Sequence, residues 1–416
     1  MLTTKRQPYK HNLKNTRIRL MKLKGHVHYV GVNDRNKHRF EGLWALPSGV
    51  SYNAYLIADE QVALIDTVDA AFLSEFLDKI DALGIDRVDY LVINHMEPDH
   101  SGSIAQVRQR FPEMRVVGNA KTLDMLRGYY GEAALSDNYL QVGEGDVLKL
   151  GYHELHFHLV PMLHWPETMV SYDATERILF SGDAFGCFGA LNGAVLDTQM
   201  DTTPYWPEME RYYAAILGKY AAPVQTALRK LSGLPIDMIC STHGPVWTVE
   251  AARAIETYRR LSAGETEPGV VVCYGSMYGN TQRVAEAVAE GAALAGVRTI
   301  RMHNLVEAHT SFVLADIFRY RGLAVGGPTY NGALFPPVEH LMHDLGERHV
   351  KGRKLACFGG YTWAGQAAKK LQAHHAKMGL DLVADPMEWK QGASADVLEQ
   401  GRALGRLLGE AVLAEQ

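Results

Sequence analysis

Four potential metal ligands lie within six residues of the chain, at His95, Glu97, Asp99 and His100. They follow the apolar run Val88–Ile93, whose β-branched residues and short length are typical of a buried strand. Side chains at alternating positions 95, 97 and 99 can point to one side of an extended segment, with His100 at the following corner. Loops held by a rigid sheet commonly carry chemistry. We therefore interpret this stretch as a metal-binding loop rather than an ordinary solvated loop.

Three further candidates, His164, Asp183 and His243, each lie at the end of an apolar segment. Each segment is typical of a strand, so each would deliver one ligand to the same edge of a sheet. Taken alone, a histidine is more often hydrogen-bonded than metal-bound, and Gly182-Asp183 could be only a turn. Together the candidates are four histidines, two aspartates and one glutamate. That number is too large for one tetrahedral ion and suits two metal ions that share a carboxylate.

A second set of candidate residues lies on glycine-rich loops in the last third of the chain. The strand Val270–Tyr274 leads into Gly275–Thr281 and then into a helix. Glycine and hydroxyl residues at a helix N-terminus can offer backbone N–H groups to a phosphate, although a plain turn would look similar. The loops Gly326–Gly332 and Gly359–Gly365 follow the third and fourth strands. All three loops lie at strand C-termini, where open α/β sheets bind ligands.

Length and composition limit the kinds of protein that this chain can be. With 416 residues, 47% of them hydrophobic and 21% charged, it is predicted to fold as two globular domains. The net charge of -5 argues against nucleic acid as the main partner. Four widely spaced cysteines favour a reducing, cytoplasmic setting. We see neither an apolar run long enough to cross a membrane nor the apolar core of a signal peptide.

The organisation of the chain places these loops on two α/β domains. Residues 1–262 alternate strands and helices in a layered domain, beginning with a basic lead-in, residues 1–24, that carries eight Lys or Arg and no acid. The lead-in is interpreted as a solvated segment, with an electrostatic docking arm for an acidic partner as the alternative. A linker at 263–269 is rich in turn-forming residues. From 270 to 416, regular βαβ units predict a doubly wound sheet of about five parallel strands.

The order His-x-Glu-x-Asp-His resembles the metallo-β-lactamase superfamily, in which a second histidine usually stands where this chain has Glu97. The extra carboxylate makes the site harder and suits iron or manganese better than zinc. With Glu97 included, the pattern resembles the flavodiiron proteins. That resemblance implies an N-terminal metallo-β-lactamase-like αββα sandwich followed by a flavodoxin-like doubly wound parallel five-stranded sheet.

By the same resemblance, His95, Glu97 and His164 would hold one iron. The second iron would be held by Asp99, His100 and His243, and Asp183 would bridge the two. In some members of the family the histidine at the position of His100 is replaced at the metal by water. Five other histidines have no matching position and are interpreted as surface or hydrogen-bonded residues; they are His26, His28, His153, His156 and His158.

The three glycine-rich loops resemble the FMN site of flavodoxins. The resemblance assigns the phosphate loop to Ser276, Met277, Tyr278, Gly279, Asn280 and Thr281. It assigns the two loops around the isoalloxazine ring to Pro328, Thr329, Tyr330, Asn331 and Gly332, and to Gly360, Tyr361, Thr362, Trp363, Ala364 and Gly365. Tyr330 and Trp363 could flank a flat ring, or each could be a core residue. A dinucleotide-binding domain is not favoured, because the first loop lacks the Gly-x-Gly-x-x-Gly pattern.

The resemblance implies an oxidoreductase that reduces dioxygen to water, nitric oxide to nitrous oxide, or both, at two iron ions. FMN would relay electrons from an external donor such as rubredoxin or a reduced deazaflavin. It also implies a head-to-tail homodimer or a dimer of dimers. Glu41 and Phe188 stand where many members have histidine near the metals, and we expect them to alter proton delivery or substrate balance. The alternatives are a dinuclear zinc hydrolase with an attached flavodoxin electron-transfer module, and a redox-inactive binding protein.

Overall fold

A computed structural model describes residues 22–131 and 138–414. Most of the predicted basic lead-in, residues 1–21, therefore lies outside the described residues. The chain forms two compact units. The first contains most of the chain up to Tyr258, and the second contains the chain from Arg259 together with the short segments Glu41–Ala45 and Tyr213–Ala221.

Two sheets, of seven and five strands, make up most of the first unit. Its strands are short and rich in β-branched and aromatic residues, as their positions in a buried sheet require. In chain order the strands before residue 262 are β1 Lys22–Lys24, β2 Val27–Tyr29, β3 Val32–Asp34, β4 Arg39–Phe40, β5 Trp44–Ala45, β6 Val50–Tyr52, β7 Tyr55–Ala58, β8 Val62–Ile65, β9 Tyr90–Val92, β10 Arg115–Gly118, β11 Tyr139–Gln141, β12 Val147–Lys149, β13 Glu154–Leu159, β14 Met169–Asp173, β15 Ile178–Gly182 and β16 Met238–Ser241.

The predicted ligands follow strands that lie either inside these two sheets or at an edge of one. One sheet has the order β1-β2-β7-β8-β9-β10-β11, and the other has the order β12-β13-β14-β15-β16. Strand β9 runs parallel to its neighbours β8 and β10, and β15 runs parallel to β16. Ligands that follow β9, β15 and β16 therefore leave their sheets at strand C-termini.

Helices cover the sheets of this unit. The predicted helix over Ala70–Leu83 is present as a 3-10 turn followed by an α-helix, in which Phe76 and Ile80 are buried. Gly84 follows with a φ of 77°, as a C-terminal cap requires. The α-helices up to residue 263 are α1 Leu73–Ala82, α2 Pro98–Ser101, α3 Ile104–Arg110, α4 Ala120–Tyr130, α5 Tyr205–Tyr212, α6 Ala221–Leu231 and α7 Ala251–Ala263.

The second unit has a sheet whose strand order is β18-β17-β19-β21-β22, and these strands pair in parallel. The first strand of this unit lies between the second and the third, which confirms the doubly wound sheet predicted from the βαβ pattern. Its strands are β17 Glu267–Tyr274, β18 Ile300–Asn304, β19 Tyr320–Tyr330, β20 Ala333–Leu334, β21 Lys354–Tyr361, β22 Asp381–Leu382 and β23 Met387–Lys390.

Helices pack closely against this sheet. They are α8 Asn280–Leu294, α9 Thr310–Arg319, α10 Pro336–Glu347, α11 Ala367–Met378 and α12 Ala395–Leu413. Gly405 of α12 meets the backbone of α8, where an added Cβ would lie 1.9 Å from the carbonyl oxygen of Val288. Only glycine permits this approach. Among the helices of the described residues, none combines the length and apolar character needed to cross a bilayer.

Candidate metal centre

The first ligand-bearing loop leaves the C-terminus of β9 and then changes conformation. Residues 94–97 lead into α2, which begins at Pro98, and Asp99 and His100 lie in that short helix. Proline is favoured at the first helical position because it has no N–H to leave unpaired and its φ is already set for a helix. The prediction that positions 95, 97 and 99 share one side of an extended segment was therefore wrong for Asp99. The helical turn brings Asp99 and His100 together instead.

One group of side chains consists of His95, Glu97, His164 and Asp183, and one ligand atom from each lies within 4.8 Å of the others. The Nε2 atom of His164 is 3.0 Å from Oε2 of Glu97 and 3.1 Å from Oδ2 of Asp183. The Nε2 atom of His95 is 3.3 Å from the same glutamate oxygen and 3.7 Å from the same aspartate oxygen. Two imidazole nitrogens and two carboxylate oxygens thus face one point.

A second group consists of Asp99, His100 and His243. The Nε2 atoms of the two histidines are 3.1 Å apart, and they lie 3.4 and 3.5 Å from Oδ2 of Asp99. Asp183 also faces this group, because its Oδ1 is 3.1 Å from Nε2 of His100 and 3.7 Å from Nε2 of His243. Asp183 therefore presents one oxygen to each group.

Two bound cations would satisfy the donor atoms better than hydrogen bonds among these atoms do. At most one of the two facing Nε2 atoms of His100 and His243 can carry a shared proton. Both carboxylate oxygens of Asp99 are buried without a hydrogen-bond partner in the part of the chain that the structure describes. Buried polar atoms normally have partners. Two metal ions would satisfy all of these atoms, and the mixed imidazole and carboxylate set suits iron.

Burial and mutual charge shift the pKa values of these groups. Burial raises the pKa of the Asp99 carboxyl to about 7, although the His100 imidazolium opposes the shift. Burial disfavours charge on His100, but the carboxylates of Asp99 and Asp183 raise its pKa to about 9. Burial and the neighbouring His100 charge lower the pKa of His243 to about 4. Without a metal the cluster therefore holds protons, and metal binding must displace them.

Hydrogen bonds from outside the ligand groups orient two of the imidazoles. The Nδ1–H group of His95 donates to Oε1 of Glu167 at 2.8 Å, and the Met96 N–H donates to the same oxygen at 2.8 Å. The Nδ1–H group of His243 donates to the carbonyl oxygen of Ser51 at 2.7 Å. In both histidines this leaves Nε2 facing the centre. Sequence reasoning missed Glu167, although its place three residues after His164 puts it beside a ligand.

Phe188 and Glu41, which were predicted to lie near the metals, differ in burial. Phe188 is fully buried, with its ring 5.0 Å from Tyr212 and 5.6 Å from Phe40. The Phe40 ring in turn lies 5.3 Å from His243, so Phe188 belongs to an aromatic wall behind a ligand. Glu41 is exposed, and its carboxylate accepts a hydrogen bond from Nε1 of Trp44.

The histidines interpreted as surface or hydrogen-bonded residues include one that is fully buried. His153 is 0% exposed and its Nδ1 lies 2.7 Å from Oδ2 of Asp173. His158 bonds to Glu144 near the surface. No ligand group in the described residues includes either histidine.

The second unit contains a pocket formed by the predicted glycine-rich loops and one further strand. Its lining residues are Ser276, Met277, Tyr278, Asn280, Thr281, Pro328, Thr329, Gly360, Tyr361, Thr362, Trp389 and Gln391. The predicted residues outside this lining are Gly279, Tyr330, Asn331, Gly332, Trp363, Ala364 and Gly365. Sequence reasoning missed Trp389 and Gln391, because they come from β23 and its end, which pair with β21 only in the folded chain.

The pocket has features that suit FMN. Gly279, with a φ of 86°, precedes α8, and its N–H donates to Oγ of Ser276. The N-terminus of α8 can therefore face a phosphate. Tyr278 and Trp363 are 90% and 88% exposed, which leaves aromatic surface for a flat ring. The Nε1 atom of Trp389 is buried without a partner in the described residues, as a donor to an absent ligand would be.

Comparisons with known proteins match both domains of the chain. Residues 50–244 match the family model "ODP family beta lactamase", and residues 272–405 match the flavodoxin model. The anaerobic nitric oxide reductase flavorubredoxin of Escherichia coli K12 is 30% identical over 393 residues, which are 92% of this chain and 81% of that protein.

Two solved structures are similar over nearly the whole chain. Rubredoxin oxygen:oxidoreductase from Desulfovibrio gigas has a TM-score of 0.90 and 28% identity, and the match covers 95% of this chain and 98% of that one. The flavodiiron protein from Giardia intestinalis has a TM-score of 0.90 and 30% identity, with 95% and 97% covered.

Proposed function

The chain belongs to the flavodiiron proteins, and on that premise we propose that it reduces dioxygen to water, nitric oxide to nitrous oxide, or both, at a diiron centre. Its enzyme class is oxidoreductase, and its cofactors are two irons and FMN. The E. coli relative is named for nitric oxide reduction and the D. gigas relative for oxygen reduction with rubredoxin. We leave both substrates in the proposal.

The observation that carries this proposal is the placement of Asp183 between the two ligand groups. Its Oδ2 faces His164 and its Oδ1 faces His100, each at 3.1 Å. A carboxylate in this position can bridge two metal ions, which is the arrangement that a two-metal site requires. We assign His95, Glu97 and His164 to one iron, and Asp99, His100 and His243 to the other.

The residues around the ligands would hold this arrangement fixed. Glu167 keeps His95 in one tautomer, and the Ser51 carbonyl does the same for His243. Thr242 donates from Oγ1 to Oδ1 of Asp183 at 2.5 Å, which restricts rotation of the proposed bridge. These contacts would preserve the positions of the donor atoms during turnover.

The cofactors supply the electrons. Two ferrous ions and a reduced flavin together store four electrons, which is enough to take dioxygen to water. The predicted loops of the second unit, from Ser276 to Gly365, would bind FMN. We propose a rubredoxin-like protein or a reduced deazaflavin as the external donor.

Anaerobic assays of the purified holoprotein with each donor test the proposal. Dioxygen and nitric oxide are offered in turn, and consumption is measured with iron and flavin content on the same sample. We expect about two irons and one FMN per chain and consumption of at least one of the two gases. Two zinc ions per chain, with no gas consumed by the reduced protein, would instead support the hydrolase alternative.

We also propose that two chains assemble head to tail, alone or as a dimer of dimers, and that the protein works in the cytoplasm. The support is the resemblance to the family, in which the flavin of one subunit usually faces the metals of the other. The four cysteines are unpaired and buried, which fits a reducing compartment. Mixing a chain that lacks iron with a chain that lacks FMN tests the assembly, since exchange of subunits should restore turnover. No recovery after demonstrated exchange would contradict it.

A further inference from the structure

Trp165 lies against two of the proposed iron ligands. Its indole ring is 5.3 Å from the ring of His95 at an interplanar angle of 87°, and 6.2 Å from the ring of His164 at 73°. Both are edge-to-face contacts. The backbone of Trp165 is fixed on both sides, because its N–H donates to Oγ1 of Thr168 and its carbonyl oxygen accepts from the same hydroxyl group. The backbone that carries the indole is therefore held in place beside the metal centre.

Tyr129 continues this aromatic contact towards the surface. Its ring lies 6.4 Å from that of Trp165 at an interplanar angle of 18°, so the two rings are nearly parallel. Tyr129 is 51% exposed at the end of α4, whereas Trp165 is only partly exposed. Ligand, indole and phenol thus form a continuous series of ring contacts from the metal centre to the edge of the protein.

Two other tyrosines near the metal centre do not reach the surface. Tyr52 and Tyr212 are fully buried, with rings 6.1 and 5.6 Å from the ring of His243. The phenol oxygen of Tyr52 accepts a hydrogen bond from the Lys37 ammonium group. The Tyr212 hydroxyl has no partner among the described residues that could take its proton. Oxidation of a phenol to a neutral radical requires loss of that proton, so Tyr129, with its half-exposed ring, is the better terminus.

We propose that Trp165 and Tyr129 form an electron relay that carries an oxidising equivalent from the metal centre to the surface. The relay would act when dioxygen reacts with a protein whose irons and flavin together hold fewer than four electrons. Because tunnelling weakens steeply with distance, a series of rings in contact offers a faster route than the surrounding aliphatic protein. The proposal rests on the proposed function, since dioxygen consumed at the metals is the oxidant.

The electrons balance in three steps. Trp165 gives one electron to the oxidised metal centre. Tyr129 then gives one electron to the oxidised indole, and its phenolic proton passes to water, leaving a tyrosyl radical. A soluble thiol gives a hydrogen atom to the phenol oxygen and becomes a thiyl radical, and two such radicals couple as a disulfide. Each passage restores Trp165 and Tyr129, leaves the metal centre reduced by one electron and consumes one external reducing equivalent.

Freeze-quench electron paramagnetic resonance of the holoprotein tests this relay. The protein is given less than its full complement of electrons, is mixed with dioxygen and is frozen. Ring-deuterated tyrosine separates a tyrosyl signal from a flavin radical. We expect a tyrosyl signal in the wild type that is lost in both Tyr129→Phe and Trp165→Phe. Tyr152→Phe is the matched control, because Tyr152 is 57% exposed but its ring contacts only His26 and His153 in the described residues.

A second measurement needs no variant. A spin trap added during the same reaction should mark Tyr129 in the wild type, as shown by peptide mapping. A signal that persists in Tyr129→Phe, or an adduct at another tyrosine in place of Tyr129, would overturn the relay. Oxygen uptake by the fully reduced protein is measured on each sample. Uptake without a Tyr129 radical overturns the relay alone. No uptake overturns the relay and removes dioxygen from the proposed function, and consumption of nitric oxide then decides what remains of that function.

Discussion

The metal centre and the flavin-binding loops differ in how far the residues that would hold the cofactor are buried. In the first unit the ligand residues are at most 7% exposed, and their donor atoms already converge. In the second unit Tyr278, which lines the pocket, and Trp363, on a neighbouring predicted loop, are about nine-tenths exposed. One site is assembled by the fold, whereas the other leaves surface that the cofactor itself would cover.

This difference has an energetic consequence. Buried imidazoles and carboxylates cost free energy unless a partner satisfies them, so a change at the metal centre affects metal binding and folding together. An exposed aromatic ring contributes little to the fold before its ligand arrives. Substitutions in the two regions should therefore separate loss of cofactor from loss of stability.

The largest effect is expected for Asp183→Asn, which keeps the shape of the side chain and removes its charge. We expect loss of iron from both groups and a fall in turnover of more than about 100-fold, since even outer contacts to a metal site are commonly worth 10- to 100-fold. Iron content, flavin content and gas consumption are measured together. Asp173→Asn is the matched control, because Asp173 is equally buried but bonds to His153. Full iron content in Asp183→Asn would contradict the bridging assignment.

A smaller effect is expected for Glu167→Gln. The amide can still accept the bond from Nδ1 of His95, but the charge that strengthens this bond is removed. Iron affinity should fall about 10- to 100-fold while FMN content stays unchanged. Competition with a chelator measures the affinity. The control is Glu144→Gln, which removes a carboxylate charge that bonds to His158 near the surface. Equal iron affinity in the two variants would show that Glu167 has no role in holding the metal.

The sequence was sufficient to predict the residues that the metal centre brings together. Each follows an apolar strand-like run, and parallel strands deliver the residues after their C-termini to one edge. Local spacing did not predict the helical turn at Pro98, because a three-dimensional ligand arrangement does not require an extended segment. Glu167 was missed because its importance comes from a contact with His95, 72 residues away in the chain. Pairing of β23 with β21 similarly adds Trp389 to the flavin pocket.

For the flavin-binding loops, Trp363→Ala should lower FMN affinity by about fivefold, which corresponds to the loss of about 1 kcal/mol of aromatic stacking. The unfolding midpoint of the FMN-free protein should not change, because Trp363 is 88% exposed. Fluorescence titration with FMN and thermal denaturation measure the two quantities. A fall in the unfolding midpoint without a change in FMN affinity would make Trp363 a structural residue and would remove the contrast between the two sites.

The smallest effect concerns a buried histidine that already has its partner, His153. Burial alone would lower its pKa, but the hydrogen bond and charge of Asp173 raise the pKa above the ordinary 6.5. The stability that this pair contributes is therefore fully present below pH 6.5 and is lost as the pH rises through the raised value. His153→Gln should cost about 1 kcal/mol more at pH 6 than at pH 9.

Denaturant unfolding of the holoprotein and of His153→Gln at the two pH values measures this difference, with iron content as the control. Because His153 belongs to neither ligand group, iron content should not change at either pH. The pair and the metal ligands are both buried, but the Asp173 carboxylate already bonds to His153, whereas both carboxylate oxygens of Asp99 lack a hydrogen-bond partner among the described residues. Equal losses of stability at pH 6 and pH 9 would mean that His153 is neutral in the fold. Loss of iron would mean that the His153–Asp173 pair helps to hold the metal ligands in place. The stability of the pair and metal binding would then be coupled.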